Sequence, residues 1–141
     1  MRVFLGAAVL AAAALATISC GGSVTDPSNN VTETFTGTIT PARAPFNGSG
    51  LGTNHMFNVS NGGEYTIKVT AMTPNYSSNF AVTLAQGSGC NVLANQTVVA
   101  LVGVQALTGP IYQTGVYCVQ ISDYYGQMTA VENYTMTVNH P

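Results

Sequence analysis

The sequence predicts an all-β protein, and three observations carry that prediction. Runs of alternating apolar and polar residues recur along the chain, as in strands with one face in a core. Thr, Val and Tyr are abundant, and turns rich in glycine separate the runs. The run Gly115–Asp123 shows the pattern best, because Tyr117, Val119 and Ile121 share one face, whereas Cys118 faces the other way or lies at a sheet margin. Eight or so short strands without a convincing helix predict a β-sandwich or barrel.

Length and charge limit the domain count and the kinds of partner. The 141 residues are enough for one domain. Charged residues make up 6% of the chain and the formal net charge is -2, whereas about a quarter of the residues are charged in ordinary soluble proteins. A chain this poor in Lys and Arg cannot form a phosphate-binding patch, so nucleic acid is not expected as a partner.

The N-terminus has the pattern of an export signal. Arg2 precedes an apolar run over residues 3–16, which is too short for a membrane-spanning helix. The segment Leu15-Ala16-Thr17-Ile18-Ser19-Cys20 resembles the lipobox of bacterial lipoproteins, in which a peptidase cuts before the cysteine and lipid is attached to it. This resemblance implies a signal peptide over residues 1–19 and a lipid-anchored protein of the cell envelope, at the outer membrane or cell surface. The alternative is an ordinary signal peptide, cut after Ala14-Leu15-Ala16.

The number of cysteines favours lipidation over the ordinary cut. An exported chain with three cysteines leaves one of them unpaired and reactive. Lipid on Cys20 accounts for the odd one and leaves Cys90 and Cys118 to form a disulfide in an oxidising compartment. Residues 20–30 are rich in Gly, Ser and Asn, which predicts a flexible tether after the lipidated cysteine. We therefore expect a membrane-tethered domain over residues 31–141.

The first strands are predicted from alternation and turn signals. Residues 31–40 alternate threonines with Val31, Phe35 and Ile39, which are assigned to the core face. Residues 47–54 then form a glycine-rich loop in this interpretation.

A second pair of strands is predicted around the turn Asn61-Gly62-Gly63, and the runs 55–60 and 64–73 are expected to form a hairpin. Alternation along the second run places Ala71 on the core face and Met72 on the outer face. The remaining strands are predicted over residues 79–86, 97–104, 106–112, 115–122 and 131–139.

Five segments, in this order, resemble the bacterial pre-peptidase C-terminal domain and its stand-alone lipoprotein relatives. They are residues 35–39, the pattern His55-x-Phe57-x-Val59, and residues 63–67, 115–123 and 134–141. The resemblance covers most of the chain after residue 31. It implies a jelly-roll-like β-sandwich that lacks catalytic residues and assists the binding of substrates or surfaces.

No catalytic or metal-binding pattern stands out in the sequence. His55 and His140 are the only histidines, and neither has the spacing of zinc ligands. A Gly-x-Ser-x-Gly nucleophile motif is absent. Asp26, Glu33 and Asp123 could meet loop carbonyls around calcium, but the sequence has no Asp-rich calcium loop. We expect no enzyme, no cofactor and no metal site.

The candidate ligand-binding residues are tyrosines in predicted loops. Tyr124 and Tyr125 lie close to Gln127 in one loop, and Tyr76 lies in another. A tyrosine beside an amide offers both an apolar face and a hydrogen bond, as a sugar or peptide site requires. The alternative is that these tyrosines cover the ends of the sandwich.

Two functions follow from these observations. The first is a lipid-anchored, non-catalytic binding or accessory module that recognises glycan or protein through its loops. The second is a structural surface protein that forms homo-oligomers through its sheet edges, because few charged residues are available to block edge pairing.

Overall fold

A computed structural model describes residues 29–42, 50–74, 80–87, 90–123, 126 and 128–141. Its regular structure consists of eight strands, which confirms the predicted all-β class. None of the described ranges forms a helix long and apolar enough to cross a membrane. The strands are β1 (Val31–Ile39), β2 (Gly50–Val59), β3 (Gly63–Thr73), β4 (Phe80–Gln86), β5 (Asn91–Ala100), β6 (Gln105–Ile111), β7 (Gly115–Asp123) and β8 (Glu132–His140).

The strands are antiparallel and follow the order of a jelly roll. Strands β1, β8, β3 and β6 lie side by side in one layer, called the front sheet. Strands β2, β7, β4 and β5 form the other layer, the back sheet. Ile39 of β1 pairs with Gly52 of β2 and joins the two layers, so the eight strands make one nearly closed sheet. The interlocked orders 1-8-3-6 and 2-7-4-5 are those of a jelly roll.

The core lies between the two sheets. Strand β7 contributes Tyr117, Val119 and Ile121, as alternation predicts, and these side chains are almost completely buried. Ile67 of β3 and Met136 of β8 are fully buried in the same core. Burial of one such side chain contributes about 1.5–3 kcal/mol, so the packing of the two inner faces is the main stabilising interaction.

The predicted hairpin of β2 and β3 is wrong. Strand β2 pairs with β1 and β7, whereas β3 pairs with β6 and β8. The turn at residues 60–62 therefore carries the chain from the back sheet to the front sheet. A turn signal shows that the chain reverses, but it does not show whether the two strands that flank it pair with each other or lie in different sheets.

Three strand limits differ from the sequence-based prediction by at least four residues. Strand β2 begins at Gly50, inside the predicted glycine-rich loop 47–54. Strand β5 begins at Asn91 and ends at Ala100, and residues 102–103 form a turn before β6. Glycine content and a continuous apolar run were therefore poor guides to strand ends, because pairing with β7 and β4 extends the strands beyond their apolar residues.

A β-bulge reverses the predicted orientation at the end of β3. The register shifts between Val69, opposite Met136, and Ala71, opposite Thr135. One extra residue turns every later side chain to the other face. Met72 is consequently buried and Ala71 exposed, the opposite of the prediction. Val31 was also assigned to the core face but is about half exposed, because it lies at the very start of β1.

Candidate functional site

Most of the predicted site residues lie outside the described part of the chain. These are Cys20, Tyr76, Tyr124, Tyr125 and Gln127. The lipid anchor and the loop tyrosines therefore remain predictions.

The predicted disulfide between Cys90 and Cys118 is present, with the two Cα atoms 5.3 Å apart. Cys118 lies in the middle of the back sheet, next to Ala85 of β4, and points away from the core. Cys90 lies in the turn between β4 and β5 and has a positive φ of 49°. The bridge thus fastens the β4–β5 hairpin to β7.

A pocket of about 240 Å³ opens beside this hairpin, where β3 and β6 of the front sheet approach β4, β5 and β7 of the back sheet. We call it the end pocket. Three tyrosines and three glutamines dominate its lining, and none of its residues carries a charge at neutral pH. The lining residues are Tyr65, Leu84, Gln86, Gln96, Pro110, Ile111, Tyr112, Gln113 and Tyr117.

The tyrosines give the end pocket a rigid wall and an exposed rim. Tyr65 and Tyr117 are almost completely buried, and the Tyr117 ring stacks on Phe57 with 5.9 Å between ring centroids. Burial raises the pKa of both hydroxyls, so they stay protonated at neutral pH. Tyr112 follows β6 and is 85% exposed, so its ring face is open to a ligand.

Each glutamine of the end pocket forms a hydrogen bond with another residue of the lining. Gln86 donates from Nε2 to Oε1 of Gln113 at 2.9 Å, and the main-chain oxygen of Gln113 accepts the Tyr117 hydroxyl at 3.0 Å. Tyr65 donates to Oε1 of Gln96. Within the described ranges, no hydrogen bond involves the side-chain nitrogen Nε2 of Gln96 or of Gln113. These two groups remain as donors to a ligand.

An irregularity in β5 brings Gln96 into the end pocket. Thr83 faces Thr97 and Ala85 faces Val92, so residues 93–96 of β5 lie opposite Leu84 alone. Gln96, at the end of this irregular segment, lies within hydrogen-bond reach of Tyr65 in the other sheet. Sequence reasoning missed the end pocket because its residues come from five strands and one turn. The only local signal was Tyr112 beside the turn Gln113-Thr114-Gly115.

Both histidines are buried and contact polar side chains inside the fold. His55 is buried between the sheets, where its ring stacks on Phe35 and Nε2 lies 2.7 Å from the Tyr134 hydroxyl. Burial lowers the pKa of His55, so its ring is neutral at pH 7. His140 is also buried, and its Nε2 lies 2.9 Å from Oε1 of Glu33.

Two of the acidic residues considered for calcium, Asp123 and Glu33, lie toward opposite ends of β1. Oδ2 of Asp123 accepts the main-chain N–H groups of Ala42 and Met128, beyond the end of β1, whereas Glu33 lies near the start of that strand. Asp26 is outside the described residues. No group of three or more His, Cys, Asp or Glu side chains within the described ranges could hold a metal ion.

The geometry of the end pocket suits reversible binding of an uncharged ligand. It combines an exposed aromatic face, an apolar floor and neutral hydrogen-bonding groups, which together can hold and orient a polar molecule. No protein-family model and no curated protein sequence matches the chain.

Proposed function

We propose that the chain is a lipid-anchored, non-catalytic module of the bacterial cell envelope that binds a neutral glycan in the end pocket. The observation that carries this proposal is the lining of the pocket, three tyrosines and three glutamines without a charged group. An anionic or cationic ligand would find no partner for its charge there.

A sugar ring matches both kinds of group in the end pocket. Its C–H face can pack on the exposed ring of Tyr112, while its hydroxyls accept from the amide nitrogens of Gln113 and Gln96. Gln86 and Tyr117 hold Gln113 in place before the ligand arrives, which lowers the entropy lost on binding. The resemblance to a non-catalytic domain that assists surface binding supports the same conclusion.

The anchor part of the proposal rests on Cys20. Its lipobox-like context and the pairing of the other two cysteines support export and lipidation. Several acyl chains on one cysteine anchor a protein stably, whereas a single chain binds a membrane only weakly.

Titration of the full chain with glycans tests the pocket. The probes are neutral cellohexaose, chitohexaose, maltohexaose and laminarihexaose, with polygalacturonate as an acidic comparison. We expect at least one neutral glycan to bind, and Tyr112→Ala to weaken it about tenfold, equal to about 1.4 kcal/mol. Met56→Ala is the control, because Met56 is 56% exposed on the back sheet away from the pocket. Equal affinity of Tyr112→Ala and wild type would refute the pocket as the site.

A second candidate function, self-assembly through sheet edges, has one observation in its favour. Val99, Leu101 and Val104 are about half exposed along the β5 edge and the turn that follows it. Two features oppose it: Pro110 on edge strand β6 has no N–H to offer, and the bulge at residues 93–96 interrupts edge strand β5.

Light-scattering mass over a range of concentrations separates the two functions. A binding module should keep one mass, whereas a coat subunit should polymerise. If the wild-type protein polymerises, the variant Val99→Lys should block assembly, because a charged residue on an edge strand opposes pairing with another strand.

A further inference from the structure

A second cavity lies on the outer face of the front sheet, away from the end pocket. It is a groove of about 390 Å³ that crosses β1, β8 and β3, and we call it the front groove. Its walls carry Thr36 and Thr38 of β1, Asn133 and Thr135 of β8, and Ala71 and Thr73 of β3. No member of this set is charged.

Strand register arranges these side chains in two parallel rows. Thr36 lies opposite Thr135, which lies opposite Ala71. Thr38, Asn133 and Thr73 are aligned in the same way. Neighbouring side chains in a row are about 4.8 Å apart and the rows about 7 Å apart, from the spacing of strands and the rise per residue. Hydroxyl and amide groups therefore recur at regular intervals across the sheet.

The β3 bulge makes room for the front groove. Because the register shifts after Val69, Ala71 faces outward and Met72 turns into the core. Regular alternation would place Met72 on this face, where its longer side chain would fill the space that Ala71 leaves open. The bulge therefore places the small side chain of Ala71 on the groove face and the larger side chain of Met72 in the core.

The polar side chains in the two rows of the front groove form no side-chain hydrogen bond with other described residues. Within the described ranges, no side-chain hydrogen bond involves Thr36, Thr38, Thr73, Asn133 or Thr135. Nearby residues of the same face differ. Thr70 donates to the main-chain oxygen of Thr135, and Thr137 donates to that of Lys68.

The floor of the front groove is rigid. Gly37 and Tyr134 form a cross-strand pair between the two rows, and both line the groove. The Tyr134 side chain turns inward, is 3% exposed and is fixed by hydrogen bonds to His55 and Thr53. A Cβ on Gly37 would come within 2.6 Å of the Tyr134 hydroxyl, so only glycine fits there. The rows are therefore held in place before a ligand binds.

We propose that the front groove is a second binding site, which takes an extended stretch of neutral polysaccharide. Repeated hydroxyl and amide groups match a ligand that presents hydroxyls at intervals along its length. The groove has no aromatic ring face exposed for stacking of a single sugar, in contrast to the end pocket with Tyr112. A charged polymer would find no opposite charge there.

The two sites can act on one polymer. Tyr65 in the end pocket and Thr73 in the front groove lie on the same strand, at most about 27 Å apart along β3 from the rise per residue. A long chain that touches both sites gains avidity that a short oligosaccharide does not. The groove itself does not depend on the end pocket being a site.

Backbone chemical-shift mapping on the full chain tests the front groove. The protein is isolated from an exporting bacterial host, in a detergent without a sugar headgroup where it is membrane-bound, and titrated with the same four neutral hexaoses. We expect shifts along residues 36–38, 71–73 and 133–135. The double variant Thr36→Val/Thr135→Val should lower the binding affinity obtained from these shifts at least tenfold, because valine keeps the shape of threonine but lacks the hydroxyl.

The control is Thr34→Val/Thr66→Val on the same sheet face but outside the front groove, and it should bind as wild type does. Amide spectra of both variants confirm that the fold is kept. Shifts only around Tyr112 would overturn the front groove and leave the proposed function standing. Shifts only in the front groove would support the groove as a binding site and refute the end pocket as one. No shift at either place with all four hexaoses would overturn both.

Discussion

The hydroxyl oxygen of Tyr134 lies 2.7 Å from Nε2 of His55, and the same hydroxyl donates to the main-chain oxygen of Thr53 at 3.2 Å. Because the hydroxyl has a single proton, we infer that Nε2–H of His55 donates to the tyrosine oxygen. This small network joins β8 of the front sheet to β2 of the back sheet inside the core. It connects the two layers where β1 and β2 have few contacts with each other.

Replacement of Tyr134 by Phe should destabilise the fold by about 1–3 kcal/mol, because it leaves the buried Nε2 of His55 without a partner. Urea denaturation measures the change. Tyr112→Phe is the matched control, since the Tyr112 side chain is exposed and its loss of a hydroxyl should cost almost nothing. Equal stability of the two variants would contradict a structural role for the network.

The stability of the protein should fall when pH falls below about 6.5 because of His55. Burial lowers the pKa of this histidine in the folded state, so the unfolded chain takes up its proton first. The unfolded state then binds more protons between the folded pKa and 6.5, and the free energy of unfolding decreases as pH falls through that interval. Urea denaturation at several pH values should show this slope, and His55→Gln should flatten it. An unchanged slope in the variant would be evidence against a buried, neutral His55.

Glu132 should produce a slope of the opposite sign. Its carboxyl group is fully buried, and neither oxygen has a hydrogen-bond partner in the described structure. Burial raises the pKa of Glu132 above 4.5, so the folded state keeps this proton to a higher pH than the unfolded chain. Between those two pKa values the folded state binds more protons, and the free energy of unfolding decreases as pH rises.

Glu132→Gln removes the ionisable group at nearly constant volume. We expect this variant to gain stability relative to wild type as pH rises above about 4.5, and the gain to vanish in acid. The same denaturation series on His55→Gln separates the contributions of the two residues. His55 makes the free energy of unfolding rise with pH, whereas Glu132 makes it fall. A variant that loses stability at neutral pH would show that the carboxylate has a partner.

Loss of the disulfide should cost both stability and ligand binding. Cys90 and Cys118 are 28 residues apart in sequence, and closing a loop of that size contributes about 3–4 kcal/mol in the chain-entropy model. The β4–β5 hairpin that the bridge fastens to β7 carries Gln86 and Gln96 of the end pocket. Denaturation and glycan titration of Cys90→Ala/Cys118→Ala should both show the loss. Unchanged affinity would mean that the hairpin holds its place without the bridge.

Replacement of Cys20 should release the protein from the membrane fraction. Lipid on its thiol is the proposed anchor, so Cys20→Ala removes the acyl chains that hold the domain at the membrane. Cell fractionation and intact mass check this, and the wild-type mass should show processing before Cys20 with added acyl chains. A wild-type protein cut after Ala16 and free of lipid would refute the anchor.

Several features of the fold could be predicted from sequence because they depend on local chemistry. Alternation with a period of two identified the buried face of β7, since successive side chains of a strand point to opposite sides. The odd number of cysteines, with Cys20 next to the leader, predicted the Cys90–Cys118 pair. The first argument needs only the order of residues along the chain, and the second needs only the number of cysteines.

Tertiary structure decided which strands lie next to each other and where their register slips. Alternation shows that β2 and β3 each bury one face, but it does not show that they lie in opposite sheets. A single bulge exposed Ala71 instead of Met72 and opened the front groove, and another brought Gln96 to Tyr65. Both proposed binding surfaces combine residues far apart in sequence. Their positions depend on the packing of two sheets, which no local pattern of residues contains.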